Sequence, residues 1–107
     1  MENIKSQFPY RRIVVTGGAG FLGRFIVNRL NTFPDVEIVV PRRSEINLVK
    51  GEDVRRLLSS ARPDLVIHLA AIVGGIGANQ KNPGTFFYEN LMMGAQLMEE
   101  SRLFGVQ

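Results

Sequence analysis

The chain of 107 residues contains no cysteine, which excludes disulfide frameworks, thiolate zinc sites and cysteine nucleophiles. It contains one histidine, His68, so a metal site built from side chains is not expected. No stretch approaches the ~20 consecutive apolar residues of a membrane-spanning helix. Met1 to Arg12 is charged and polar, without the apolar run of a secretory signal. The expectation is a soluble, cytoplasmic protein with no membrane partner. A net charge of +3 comes from scattered arginines and not from a basic stripe interleaved with aromatics, so nucleic acid is not an expected partner either. There are no internal repeats, low-complexity tracts or linker-like segments. With 45% hydrophobic and 21% charged residues the chain has the composition of a folded domain, either one small domain or part of a larger one.

What is present is concentrated first between Arg12 and Arg24, where an apolar strand, Ile13-Val14-Val15, runs into glycines at 17, 20 and 23. An amphipathic pattern carrying Phe21, Leu22, Phe25, Ile26 and Leu30 follows, suited to a helix covering one sheet face. This strand–turn–helix context predicts a dinucleotide-phosphate cradle spanning Gly17, Gly18, Ala19, Gly20, Phe21, Leu22 and Gly23. Gly17 permits the tight turn, Gly20 the close approach of backbone to pyrophosphate, and Gly23 the packing of helix on sheet. The helix N-terminus offers unpaired N–H groups and a positive dipole end to the anion. An ordinary βα turn that binds nothing also uses glycine, and only the context on both sides argues against it.

The rest of the chain alternates strands and helices. Strand one is expected at about Arg12–Thr16 after a loose leader, helix one at about Gly20–Thr32, and a second strand at Val36–Val40, closed by Pro41. A short third strand is expected at Glu45–Leu48. A short helix over Val54–Ala61, with Glu52 and Asp53 in its first turn, stops at Arg62-Pro63. A buried strand follows at Asp64–Ala71, then a glycine-rich loop from Ile72 to Asn82. A long helix runs from Pro83 to about Phe104, with Phe86, Phe87, Leu91, Leu97, Met98 and Phe104 as its core positions. This is an α/β chain with a Rossmann-type doubly wound parallel sheet, partial, with about four strands and flanking helices.

In such a fold the adenosine ribose lies at the carboxyl end of strand two, where the sequence reads Val40-Pro41-Arg42-Arg43-Ser44. Glu37 stands at the right count for an NAD-type acid but near the start of the strand, more than about 10 Å from the ligand end. Arg42 and Arg43 stand where the acid should be, and their guanidinium forks suit a 2′-phosphate. NADP is therefore favoured over NAD, although the two arginines could also be solvated loop charges.

Three passages resemble the extended short-chain dehydrogenase/reductase (NAD-dependent epimerase/dehydratase) superfamily, which modifies nucleotide sugars. They are Thr16 to Gly23, Arg43-Ser44-Glu45-Ile46-Asn47-Leu48, and His68-Leu69-Ala70-Ala71-Ile72-Val73-Gly74-Gly75-Ile76-Gly77-Ala78-Asn79. The last two look most like the GDP-L-fucose synthase family of NADP-dependent epimerase/reductases. The resemblance implies that Arg43 to Leu48, including Asn47 and Leu48, surround the adenosine end, and that Leu69, Ala70 and Ala71 line the dinucleotide cleft. It implies a nucleotide-sugar substrate for the whole enzyme, for which an NAD-dependent 4-epimerase or 4,6-dehydratase is the alternative. That family commonly has an arginine just before the second motif glycine; Ala19 stands there in this chain. His68 is expected to be structural, and Gly74 to Gly77 either a nest of N–H groups or a flexible turn.

The family's chemistry uses a Tyr-x-x-x-Lys, but Tyr10 and Tyr88 are followed four positions later by Val14 and Met92. No catalytic residue is therefore assigned. The resemblance implies the cofactor-binding part of a longer enzyme, ending before the catalytic segment. A non-catalytic nucleotide-binding or protein-interaction module remains the alternative from another class. A further expectation is an apolar sheet edge at Leu65-Val66-Ile67 that pairs with another chain, making a homodimer one outcome.

Overall fold

Ile13, Val14 and Val15 have no exposure to solvent, because the strand they form lies at the centre of a sheet covered on both faces. The computed structural model describes residues 8–71, 81 and 83–107. Strand β1 (Arg12–Thr16) lies between β2 (Glu37–Val39) and β3 (Leu65–His68), and both pairings are parallel. Val14 is opposite Val39 on one side and Val66 on the other, and Thr16 is opposite His68. Side chains alternate across a strand, so β1 feeds two cores. Ile13 and Val15 pack with Leu30 on one face, while Val14 packs on the other with Val54, Leu57, Leu58, Ala61, Met93 and Leu97.

Helix α1 (Phe21–Leu30) covers the first face through Leu30, with Ile26 and Val27 partly buried. Phe21, Leu22 and Phe25, expected on the covering stripe, are exposed, because only the last turns of α1 reach the sheet. Helix α2 (Gly51–Ala61) presents Val54, Leu57, Leu58 and Ala61 inward, at the spacing read from the sequence. It ends with Arg62 in the left-handed region (φ 48°, ψ 56°) ahead of Pro63. Helix α3 (Pro83–Phe104) packs on α2 through Met93 and Leu97, with Glu100 and Ser101 buried one turn further on. Of the core positions expected on α3 only Leu97 is buried. Phe87, Leu91, Met98 and Phe104 point to solvent, since one helix packed on one neighbour buries a single stripe.

The expected strand at Glu45–Leu48 is a pair of turns, which leaves three strands among the described residues. The Glu45 and Ile46 amides both donate to the Arg42 carbonyl, at 2.9 and 2.8 Å, so the backbone is satisfied locally while Leu48 is buried against α2 and α3. The edge of β3 is not wholly bare. Gln107 donates to the Asp64 carbonyl at 3.4 Å and accepts the Val66 amide at 2.8 Å, the bonding pattern of a parallel ladder around Leu65. Residues of the expected leader also pack: Phe8 stacks on Phe33 with ring centroids 4.4 Å apart. The loop expected from Ile72 to Asn82, with Gly74 to Gly77 and Asn79, lies outside the described residues apart from Lys81.

Candidate functional site

The carboxyl ends of the three strands open into one cleft of ≈ 990 Å³. Its floor is the turn out of β1. Gly17 adopts φ +74°, and a Cβ there would stand 2.7 Å from both the Ala70 nitrogen and the Leu69 carbonyl carbon, so glycine lets the turn lie directly against the chain leaving β3. A Cβ on Gly18 would meet the Val40 methyl groups at 2.8 and 2.9 Å. A Cβ on Gly23 would stand 1.9 Å from the Gly17 oxygen, which forces glycine where α1 crosses the turn. Gly20 differs. It has ordinary extended angles, and among the described residues a Cβ would touch only the Gly17 oxygen at 3.4 Å, so none of them requires glycine there. It begins α1 without any side-chain cap, which leaves the first amides of the helix to an external acceptor.

The second wall is the loop after β2. Val40, Pro41, Arg42, Arg43, Ile46, Asn47 and Leu48 border the cleft, and Arg42 and Arg43 are exposed, with no ion-pair partner among the described residues. Asn47 is partly committed to the loop itself, since its side-chain oxygen accepts the Val49 amide at 3.1 Å and its own amide donates to Asp53 Oδ2 at 2.8 Å. Glu37 lies at the other end of β2, opposite Arg12 and 3.6 Å from its Nε, as its place in the strand implied.

The third wall is the exit from β3, formed by Leu69, Ala70 and Ala71. Thr16 Oγ1 fixes it: the hydroxyl is buried, lies 2.6 Å from His68 Nδ1 and accepts the amides of Leu69 at 3.0 Å and Ala70 at 3.1 Å. His68, expected inside an apolar strand, is solvent-exposed as a residue, yet partial desolvation pushes its pKa below the ordinary value of 6.5.

Eleven of the fourteen residues singled out from the sequence therefore line one cleft, the exceptions being Phe21, Leu22 and Gly23. Gly23 acts by packing, and the other two are exposed on α1. Lining residues outside those fourteen are Thr16, Val40, Pro41, Met93 and Ile46, the last within the Arg43–Leu48 stretch expected at the adenosine end. Thr16 had a signal, as the last strand residue before the turn. Met93 had none beyond helical periodicity, because it reaches the cleft only through the packing of α3 on α2.

A model of the NAD dependent epimerase/dehydratase family matches residues 13–107. The chain belongs to that family. Among curated members it is 39% identical over 97 residues to the GDP-L-fucose synthase of Sinorhizobium fredii, a match spanning 91% of this chain and 31% of that protein. The chain thus spans under a third of the length of that relative. In structure it is similar to a GDP-mannoheptose C4 reductase from Campylobacter jejuni with NADP bound, with a TM-score of 0.81 and 28% identity over 90% of this chain and 30% of the other. It is also similar to the Thermus thermophilus UDP-glucose 4-epimerase in complex with NAD, with a TM-score of 0.76 and 32% identity over 90% of this chain and 35% of the other. Three parallel strands with helices on both faces are the Rossmann-type arrangement of this family.

Proposed function

We propose that residues 1–107 form the dinucleotide-binding domain of a nucleotide-sugar epimerase/reductase of the GDP-L-fucose synthase kind, and that its cofactor is NADP in preference to NAD. One observation carries this reading. The uncapped start of α1, the open face of Gly20, two arginines without an ion-pair partner among the described residues and the Leu69–Ala71 backbone all border a single cleft at the carboxyl ends of the strands, where ligands bind in open α/β sheets. Gly17 to Gly20 and the α1 N-terminus would hold the pyrophosphate. Arg42 and Arg43 would hold the 2′-phosphate through charge-assisted hydrogen bonds, and Ile46, Leu48 and Met93 supply apolar contact beside them. The bound cofactor supplies hydride transfer; the nucleotide sugar and the groups that move protons on it belong to the longer enzyme, cytoplasmic in this reading. No tyrosine of this chain is followed by lysine at the fourth position, so the domain alone binds and does not turn over substrate.

The NAD-dependent 4-epimerase reading has an observation in its favour, the 32% identity to an epimerase whose structure holds NAD. Titrating the purified chain with NADPH and with NADH separates the two. Tighter binding of NADPH supports the first reading, equal or tighter binding of NADH the second, and no binding of either a protein-interaction module.

A further inference from the structure

Thr16 Oγ1 has more neighbours than a hydroxyl can serve in more than one way. A hydroxyl owns one proton and two lone pairs. The Leu69 and Ala70 amides, at 3.0 and 3.1 Å, can only donate, so they meet the two lone pairs, Leu69 sharing its proton with the Thr16 main-chain oxygen. The one proton must go to the third neighbour, His68 Nδ1 at 2.6 Å. That nitrogen is then an acceptor, and the imidazole is neutral with its proton on Nε2. A protonated ring would put a third donor on an oxygen with two lone pairs, inside a site where Thr16 has no solvent exposure.

We infer that His68 is a positioning residue of the cleft: by accepting the Thr16 proton it keeps Oγ1 a double acceptor for the Leu69 and Ala70 amides, and its protonation displaces the Leu69 amide from Oγ1 and loosens that wall. The two amides are not equivalent. Leu69 N–H also points to the Thr16 main-chain oxygen at 3.0 Å and falls back on it, whereas Ala70 N–H has Thr16 Oγ1 alone among the described residues and holds its lone pair. The Leu69 carbonyl carbon lies against Gly17, so the wall that loosens is the one on which the glycine turn rests.

No other charge competes for the ring among the described residues. On the strands, Arg12, Glu37 and Asp64 stand at the opposite ends. On the helices, Arg55 is paired with Glu100 and Arg56 with Asp53, and neither Lys81 nor Glu89 bonds to His68. Partial desolvation of the imidazole acts in the same direction as the hydrogen-bond count, favouring the neutral ring.

The effect on ligand affinity rests on the dinucleotide reading; the hydrogen-bond arrangement does not. The test therefore has a ligand-free arm. The full chain, labelled with 15N, is followed by NMR from about pH 8 to about pH 5, which brackets the imidazole range. The expected result is an unprotonated Nδ1 and a protonated Nε2 at the alkaline end. As the ring titrates, hydrogen-exchange protection of the Leu69 amide falls several-fold, less than the roughly tenfold of one whole net hydrogen bond because its main-chain acceptor remains, while that of Ala70 is kept. In His68→Asn the side-chain oxygen can accept the Thr16 proton and does not titrate, so Leu69 protection stays level with pH. A proton on Nδ1 at the alkaline end overturns the inference, as does unchanged Leu69 protection in the wild type; if the variant does not fold, the wild-type titration decides. In the second arm, NADP affinity falls on acidification in the wild type beyond its fall in His68→Asn, a comparison that cancels titration of the 2′-phosphate itself. Absence of NADP binding at every pH refutes the dinucleotide reading and leaves the ligand-free arm to decide the role of His68.

Discussion

Gly17 and Ala70 are in backbone-to-backbone contact: a Cβ on Gly17 would stand 2.7 Å from the Ala70 nitrogen, and φ at Gly17 is +74°. Two separate penalties therefore oppose any side chain there, the left-handed backbone and the overlap with the chain leaving β3. Gly17→Ala is expected to destabilise the fold by about 2 kcal/mol or more. Urea unfolding measures it. Gly17→Asn tests the partition, since asparagine tolerates positive φ but not the overlap. Recovery of wild-type stability by asparagine would show that φ alone matters.

How much of this was legible in the sequence follows from where the cause lies. The glycine spacing encodes local geometry: Gly17 makes the tight turn that the spacing implied, while Gly23 lets α1 pack on that turn and not on the sheet. Val54, Leu57, Leu58 and Ala61 were legible because α2 packs along one stripe for its whole length. Glu45–Leu48 misled, because alternating Ile46 and Leu48 mimics a strand while Arg42 and Asn47 close turns through hydrogen bonds that hydrophobic period does not register. The outward apolar residues of α3 were misread for the opposite reason: period shows which residues share a stripe, but not how many neighbours a helix has. Met93 enters the cleft through tertiary packing alone.

Gly20 separates binding from folding. Its backbone angles are open to any residue, and a Cβ meets only an ordinary contact at 3.4 Å. Gly20→Val is therefore expected to change stability by less than about 1 kcal/mol, the scale of a lost favourable N-cap residue. The same substitution fills the approach to the uncapped amides of α1 and abolishes dinucleotide binding. A variant that binds NADPH like the wild type would remove the phosphate cradle from this turn.

In the proposed reading, Arg42 and Arg43 carry the cofactor preference. Both are exposed beside the cleft and have no ion-pair partner among the described residues, so removing them breaks nothing within the fold. Replacing both with alanine is expected to weaken NADPH by about 1.5–3 kcal/mol for each charge-assisted hydrogen bond lost, with NADH little changed. Calorimetric titration of the two cofactors reads the ratio. An unchanged ratio would return the arginines to the role of solvated loop charges and point to Ala19.

Arg62 holds a left-handed conformation, φ 48° and ψ 56°, at the end of α2, and its amide donates to the Leu58 carbonyl. Glycine adopts this conformation without the Cβ penalty. Arg62→Gly is expected to raise stability by roughly 0.5–1 kcal/mol, read as a higher urea midpoint at constant slope. A lower midpoint would mean that the greater freedom of glycine in the unfolded chain outweighs the relieved strain.

Asp53 ties the stability of the cleft wall to pH. Its carboxylate accepts the Asn47 amide at 2.8 Å and the Arg56 guanidinium at 3.1 Å, and Arg56 also donates to the Glu45 carbonyl at 3.0 Å. The Asn47 amide first, and then Arg56, hold the carboxyl below its ordinary value of 3.8. A carboxyl whose folded-state pKa is lowered contributes stability that is present above the unfolded value and is lost as pH falls through the folded one. Asp53→Asn removes the titration and the charge while keeping one weaker acceptor. Wild type and variant should therefore differ most in urea midpoint near about pH 6 and converge as pH falls through the lowered folded-state value of Asp53, below which both carry a neutral side chain. Because the loop that Asp53 fastens includes Arg43, Asn47 and Leu48 of the cleft, the variant should also bind NADPH more weakly at neutral pH. A midpoint difference independent of pH would mean that the hydrogen-bond geometry at position 53, and not its charge, fastens the loop.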